Sequence, residues 1–266
     1  MKLTLKSAAA ALFASLLFAG CGQNGDEHKI KVGAIAGSEA QIVEEAAKVA
    51  KEKYGLEVEV VTFSDFATPN VALNDGSIDV NAFQHKPYLD SQIKDRGFKL
   101  VAVGNTFVYP IAAYSKKLKS ISELKEGAQV AVPNDPTNLG RSLLLLQKQG
   151  LLSLRAHSGL NATVLDIIDN PKKLKIVELE AAQLPRSLDD VDLAIINTVY
   201  ASQINLLPSR DGLFVEDKDS PYVNLVVARE DNKDAKKVKE FVAAYQSEAV
   251  YQKALELFKG GVVKGW

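Results

Sequence analysis

Three groups of side chains in this chain could hold a small molecule. The first lies in Asn81-Ala-Phe-Gln-His-Lys-Pro-Tyr88, which gathers Phe83, His85 and Tyr88 in one short stretch. Aromatic faces beside an imidazole suit an apolar or sulfur-bearing group, and a sulfur–aromatic contact contributes about 0.3–1.5 kcal/mol. The same rings could instead pack a core, with His85 satisfying a buried carbonyl. Phe63 and Phe66, in Val61-Thr-Phe-Ser-Asp-Phe66, could join that wall or that core. The second group is Pro133-Asn-Asp-Pro-Thr-Asn-Leu-Gly-Arg141, which leads from a strand into a helix. Free backbone N–H groups and the dipole make a helix start a site for anions. A cation in that first turn is locally disfavoured. Arg141 there either meets an incoming carboxylate through two parallel hydrogen bonds or pairs with Asp135 at the surface. The third group is single asparagines at strand ends, Asn197 and Asn224. Their amides can accept from an ammonium and donate to a carboxylate, or serve turns and caps.

Catalytic chemistry has little to stand on. There is no G-x-S-x-G, no P-loop and no H-E-x-x-H,. His28, His85 and His157 are far apart in sequence, and nothing in their spacing asks for a metal,. No cofactor motif is present. Asp189, Asp190 and Asp192 read as a solvated loop before an apolar strand.

The single cysteine, Cys21, carries chemistry of another kind. Lys2 and Lys6 precede an apolar run, Ala8–Phe18, and the small pair Ala19-Gly20 follows. The run is far shorter than the about 20 residues that span a bilayer, so residues 1–20 read as a removable export signal. A cysteine directly after the small pair suggests a thiol joined to diacylglycerol. The other reading is an ordinary secretory signal with an unrelated cysteine behind it.

The elements that must position these groups follow a regular order. Residues 21–29 are polar and glycine-containing, a tether. Ile30–Ile35 reads as a strand, Gln41–Tyr54 as a helix closed by Gly55, and Leu56–Phe63 as a strand,. Asn70–Asn74 and Pro87–Lys94 read as helices around a strand at Ile78–Phe83, with another strand at Lys99–Val103. After an extended crossing at Val108–Tyr114 the pattern restarts. Short helical turns are expected at Ile121–Lys125 and strands at Gln129–Pro133, Lys175–Glu178, Leu193–Ile196 and Val223–Ala228. Helices are expected at Asn138–Gln149 and Ala162–Asp169, and two more within Asp234–Lys259. Strands alternating with helices imply parallel sheets covered on both faces. Two such units, 30–112 with 229–266 and 113–228, make a two-lobed α/β molecule. Ligands bind beyond the carboxyl ends of such strands and between domains. An exported, tethered, two-lobed chain suits a receptor that closes on a solute, or a secreted enzyme on the same scaffold.

Composition narrows the partners. The chain has 32 Lys+Arg against 33 Asp+Glu, and losing Lys2 and Lys6 with the signal leaves a small negative balance. No basic block offers a footprint for nucleic acid. An acylated Cys21 leaves no thiol for a disulfide, so the core alone must stabilise the body.

Several long segments carry a resemblance. VTFSDFATPN, DVNAFQHKPYLD, LVAVGNTFVYPIAAYSKK, AVPNDPTNLGRSLLLLQ, LEAAQLPRSLDD, AIINTVYASQ and EDKDSPYVNLVVAREDN resemble the methionine-binding lipoproteins of bacterial methionine ABC importers, the NlpA lipoprotein family. The similarity runs from about Ile30 to Trp266. It implies a type II-like periplasmic-binding-protein fold with methionine, L- or D-, in the cleft between the lobes. It also implies a non-enzymatic monomer serving an ABC permease and its ATPase subunits, facing the periplasm from a lipid anchor on Cys21, with the inner membrane favoured by that function. Carried over by position, Arg141 would clamp the carboxylate, and Asn138, Asn197 and Asn224 would share the polar head. Phe83, His85 and Tyr88 would enclose the side chain. Phe66 stands where such proteins usually have tyrosine, so it would keep the packing role without the hydroxyl.

Overall fold

The computed structural model describes residues 27–266. Cys21, the export signal at 1–20 and most of the expected tether lie outside the described residues. The first half of the chain runs β1 (Lys29–Ile35), α1 (Ser38–Tyr54), β2 (Glu57–Phe63), α2 (Thr68–Asn74), β3 (Val80–His85), α3 (Lys86–Arg96) and β4 (Leu100–Val108). It continues through β5 (Ala112–Tyr114), β6 (Gln129–Pro133), α4 (Pro136–Lys148), β7 (Ser153–Leu154), β8 (Ile167–Asp169), β9 (Lys175–Leu179), α5 (Leu184–Ser187), β10 (Leu193–Ile196), α6 (Thr198–Gln203), α7 (Pro208–Asp211) and β11 (Phe214–Val215). The last part is β12 (Val223–Arg229), α8 (Lys236–Tyr245), α9 (Glu248–Leu257) and β13 (Val263–Lys264).

Two sheets result. One has the order β13-β4-β12-β3-β1-β2 and the other β11-β5-β10-β6-β9. The expected parallel pairing holds through one half of each sheet, out to the edge strands β2 and β9: β1 with β2 and β3, and β6 with β9 and β10. It fails in the other half, where β12 runs antiparallel to β3 and β4, and β5 antiparallel to β10 and β11. The sheets are therefore mixed. The chain crosses between them twice, at 109–111 and 216–222.

The division expected at 112/113 and 228/229 needs correction at both points. Ala112 already pairs with Ile196 in the second sheet. Residues 223–228 belong to the first sheet, because β12 slots between β3 and β4. Antiparallel insertion of a late strand leaves no mark in a local pattern. Lys29, expected in the tether, already pairs with Glu57.

Period-two alternation explains how these strands bury two faces. On β12, Val226 and Ala228 face the core under α1, α8 and α9, while Leu225 and Val227 pack with Leu73, Ile78, Leu89 and Leu100. On β10, Leu193 and Ile195 meet Leu139, Leu143 and Leu146 of α4, while Ala194 and Ile196 face Leu184 and Tyr200. Helix α1 buries Ile42, Val43, Ala46, Val49 and Ala50 and ends at Gly55, whose φ of 67° is the left-handed conformation that glycine adopts freely,.

The helix expected at Ala162–Asp169 is not there. A 3₁₀ turn at Val164–Asp166 leads into β8, which pairs with β7. Asp166 turns back to accept from the Thr163 backbone and hydroxyl, and Leu165 and Ile168 are exposed. A helix here would have no core for its apolar face. No helix among the described residues is long and apolar enough to cross a membrane.

Candidate ligand-binding site

The carboxyl ends of β1, β2, β3, β6 and β10 converge on one cavity between the sheets. All eight candidates, Phe66, Phe83, His85, Tyr88, Asn138, Arg141, Asn197 and Asn224, line it. They come from both sheets, so the cavity exists only where the lobes meet.

One end is aromatic. Phe83 and His85 lie on the same face of β3, and Tyr88 follows in the first turn of α3. His85 caps that helix: its Nδ1 accepts from the Tyr88 N–H at 3.2 Å. Phe66 sits 5.9 Å from Phe83, 6.2 Å from Tyr88 and 4.8 Å from Tyr200, ring centre to ring centre. The Tyr88 hydroxyl donates to the Phe66 carbonyl at 2.9 Å. Phe83 and Tyr88 line the cavity and also belong to an apolar cluster with Ile196 and Tyr200 of the second lobe.

The other end is polar and largely pre-committed. Because Nδ1 of His85 accepts, its Nε2 carries the proton and donates to Asn138 Oδ1 at 3.2 Å,. Burial, with the Arg141 charge nearby, pushes the imidazole down to about 3, so it is neutral,. Asn138 Oδ1 also accepts from Asn197 Nδ2 at 2.8 Å, and Asn138 Nδ2 donates to Asp135 at 2.9 Å. Asn138 is therefore a bridge between lobes: its Oδ1 meets two protein donors, and one of its two Nδ2 hydrogens serves Asp135,.

Arg141 is not the surface partner of Asp135. Asp135 caps α4, accepting from the Asn138 N–H at 3.0 Å, and burial raises its carboxyl. Pro136 begins the helix two residues before the expected start, so Arg141 lies in its second turn and the dipole argument for its position weakens. Its buried guanidinium donates through Nε and Nη2 to Glu216 and through Nη2 to the Tyr109 carbonyl at 3.0 Å. The guanidinium carbon sits 4.2 Å from the Tyr222 ring centre. Among the described residues, only Nη1 of this fork is left without a partner.

Two asparagines keep acceptors free. Asn197 Oδ1 is buried with no partner. Asn224 Nδ2 donates to the Phe83 carbonyl at 2.9 Å and to Glu39 at 3.2 Å, leaving its Oδ1 without a donor among the described residues. Sequence reasoning missed Glu39, Gln84, Tyr109 and Thr198 in the lining, and Glu216 and Tyr222 behind Arg141. Glu39 had a readable signal: it follows the strand end at Ile35, as the other site residues follow theirs. Glu216 and Tyr222 had none, being brought in by the return crossing.

Two sheet-centred lobes closing on one cavity, polar at one end and aromatic at the other, define a solute-binding protein of the two-lobed class. The model of the NlpA lipoprotein family matches residues 30–266, and the chain belongs to that family. It is 69% identical over 98% of its length to the D-methionine-binding lipoprotein MetQ of Salmonella typhimurium, covering 97% of that protein. Among solved structures, a nutrient-binding protein from Burkholderia cenocepacia bound to methionine superposes with a TM-score of 0.87 at 53% identity, covering 89% of this chain and all of that one. A periplasmic substrate-binding protein of an ABC transporter from Coxiella burnetii gives 0.86 at 54%, with the same coverage.

Proposed function

We propose that this protein captures methionine and hands it to an ABC-type importer, with binding and release as its whole task and no chemical step. The observation that carries the reading is the division of the cavity. At one end stand an unpaired guanidinium nitrogen and two unpaired amide oxygens, and at the other four aromatic or imidazole rings. A free amino acid with a long apolar side chain has that same polarity. Arg141 Nη1 suits its carboxylate, Asn197 Oδ1 and Asn224 Oδ1 its ammonium, and Phe66, Phe83, His85 and Tyr88 its thioether. Asn138 acts one step back, fixing Asn197 and His85.

Lipidation of Cys21 would hold the receptor beside a permease and raise its local concentration there, which favours the inner membrane and a monomer. The nature of the relatives supports the importer; Cys21 behind its apolar run supports the anchor.

The test is calorimetric. The soluble form lacking residues 1–21 is stripped by denaturation, refolded and titrated with amino acids. L-Methionine should bind with measurable heat. Amino acids with charged side chains should not. No heat and no thermal shift with either enantiomer of methionine would end the proposal.

A further inference from the structure

We propose that Glu39 is the counter-charge for the ligand's α-ammonium and thereby makes an α-amino group obligatory, an inference that rests on reading the cavity as an amino-acid site. Glu39 lies in the first turn of α1, just past the carboxyl end of β1, and lines the cavity. Only 2% of it is exposed. Its Oε1 accepts from Asn224 Nδ2 at 3.2 Å and the Ile35 backbone N–H lies toward the carboxyl, while Oε2 is buried and makes no well-formed hydrogen bond among the described residues. Burial holds the carboxyl well above its usual range.

The groups facing Glu39 bring no cation to it. They are Asn224 of β12, Tyr109 in the first crossing, Tyr200 of α6 and Tyr245 of α8. Neither basic side chain on the cavity wall is available to it: Arg141 is paired with Glu216, and His85 is neutral. A buried carboxyl with no cation and an open oxygen is unfavourable unless something supplies the charge. An ammonium has three N–H donors. Glu39 Oε2, Asn197 Oδ1 and Asn224 Oδ1 are three uncommitted oxygens on three different elements. The start of α1 also favours an anion at Glu39, so the carboxylate forms readily once a cation arrives. A 2-hydroxy acid would bring neither the charge nor enough donors. An N-acylated amino acid would bring one donor and more bulk.

The test compares wild type with Glu39→Gln, both stripped and refolded. Each is titrated with L-methionine and with its 2-hydroxy analogue, 2-hydroxy-4-(methylthio)butanoate. Wild type should prefer methionine by about 100-fold or more. Glu39→Gln should lose about tenfold or more for methionine and bind the hydroxy acid at least as well as wild type does. Its ligand-free thermal midpoint should not fall, since the amide fills the same space without a buried charge. Glu39→Asp keeps the charge on a shorter arm. It should weaken methionine binding and still reject the hydroxy acid, which keeps the test open if the glutamine form fails to fold. Unchanged methionine affinity in Glu39→Gln would overturn the assignment. So would an equal loss for both ligands, which marks a structural role. Wild type binding neither ligand would instead overturn the amino-acid reading, and Glu39's role with it.

Discussion

His85 joins the lobes through one hydrogen bond, to Asn138, and its proton inventory has a measurable consequence. Its imidazole is pushed from the ordinary 6.5 down to about 3. Between those values the unfolded chain binds a proton that the folded chain does not, so His85 makes stability rise with pH through this window. The effect reaches up to about 1.4 kcal/mol per pH unit. It is complete above 6.5 and lost toward 3. Glu39, with its carboxyl raised above 4.5, works in the opposite sense, lowering stability as pH rises past that value. The stability difference between wild type and His85→Gln in urea titrations should therefore grow with pH from 3 to 6.5. A difference independent of pH would mean that the imidazole is solvated. Asn224 gives a cleaner binding test than Arg141. Asn224→Ala should weaken methionine binding about tenfold or more, since a buried head-group atom loses its partner, and calorimetry reads it directly. Arg141→Ala should weaken binding as much but also lower stability, because it strands the Glu216 carboxylate,. At this scale the side chains were legible from strand ends and helix starts. Their partners were not: no local pattern links Arg141 to Glu216, and only the fold shows that Asn138 Oδ1 already meets two protein donors.

Among the elements, α4 does the most to shape the site. Asp135 and Pro136 start it, Arg141 and Asn138 project from it, and Leu139, Leu143 and Leu146 bury its other face in the second core. Gly140 lets the 3₁₀ turn Gly159–Asn161 pack directly against this helix: a Cβ there would collide with the Leu160 carbonyl. Gly140→Ala should cost about 1–3 kcal/mol in urea unfolding, and an unchanged midpoint would mean that this turn moves aside freely. The strands of both sheets were readable from apolar runs, most clearly Gln129–Pro133 and Leu193–Ile196, whose limits are those of β6 and β10. Val, Leu and Ile in 162–169 resemble a helical face, but the Thr163–Asp166 turn and pairing with β7 hold the segment out of a helix. Strand β12 was found but assigned to the wrong lobe, since pairing between residues 224 and 85 is a long-range event that spacing does not encode.

The whole molecule is held shut by few direct bonds between lobes. Gln203 Nε2 donates to the Ala36 carbonyl at 2.8 Å, the Tyr200 hydroxyl to the Ser64 carbonyl at 3.3 Å, and Ser38 meets Ser202 at 3.2 Å. Only two segments, 109–111 and 216–222, connect the sheets, and both touch the site: Tyr109 through its carbonyl to Arg141, and Glu216 through its carboxylate. A ligand that bridges the lobes shifts the population toward this closed form by its differential affinity. The stripped protein should therefore show a larger radius of gyration in solution scattering and contract when methionine is added. Identical scattering curves with and without ligand would argue for a rigid, permanently closed receptor. The central claim is that the aromatic end of this one cavity holds the ligand's sulfur. Its most direct test is a crystal of the stripped protein refolded with L-selenomethionine and measured for the anomalous signal of selenium. One strong peak should lie among Phe66, Phe83, His85 and Tyr88, with the head group toward Arg141, Asn197 and Asn224. A peak outside this cavity, or selenium at its polar end, would contradict the account.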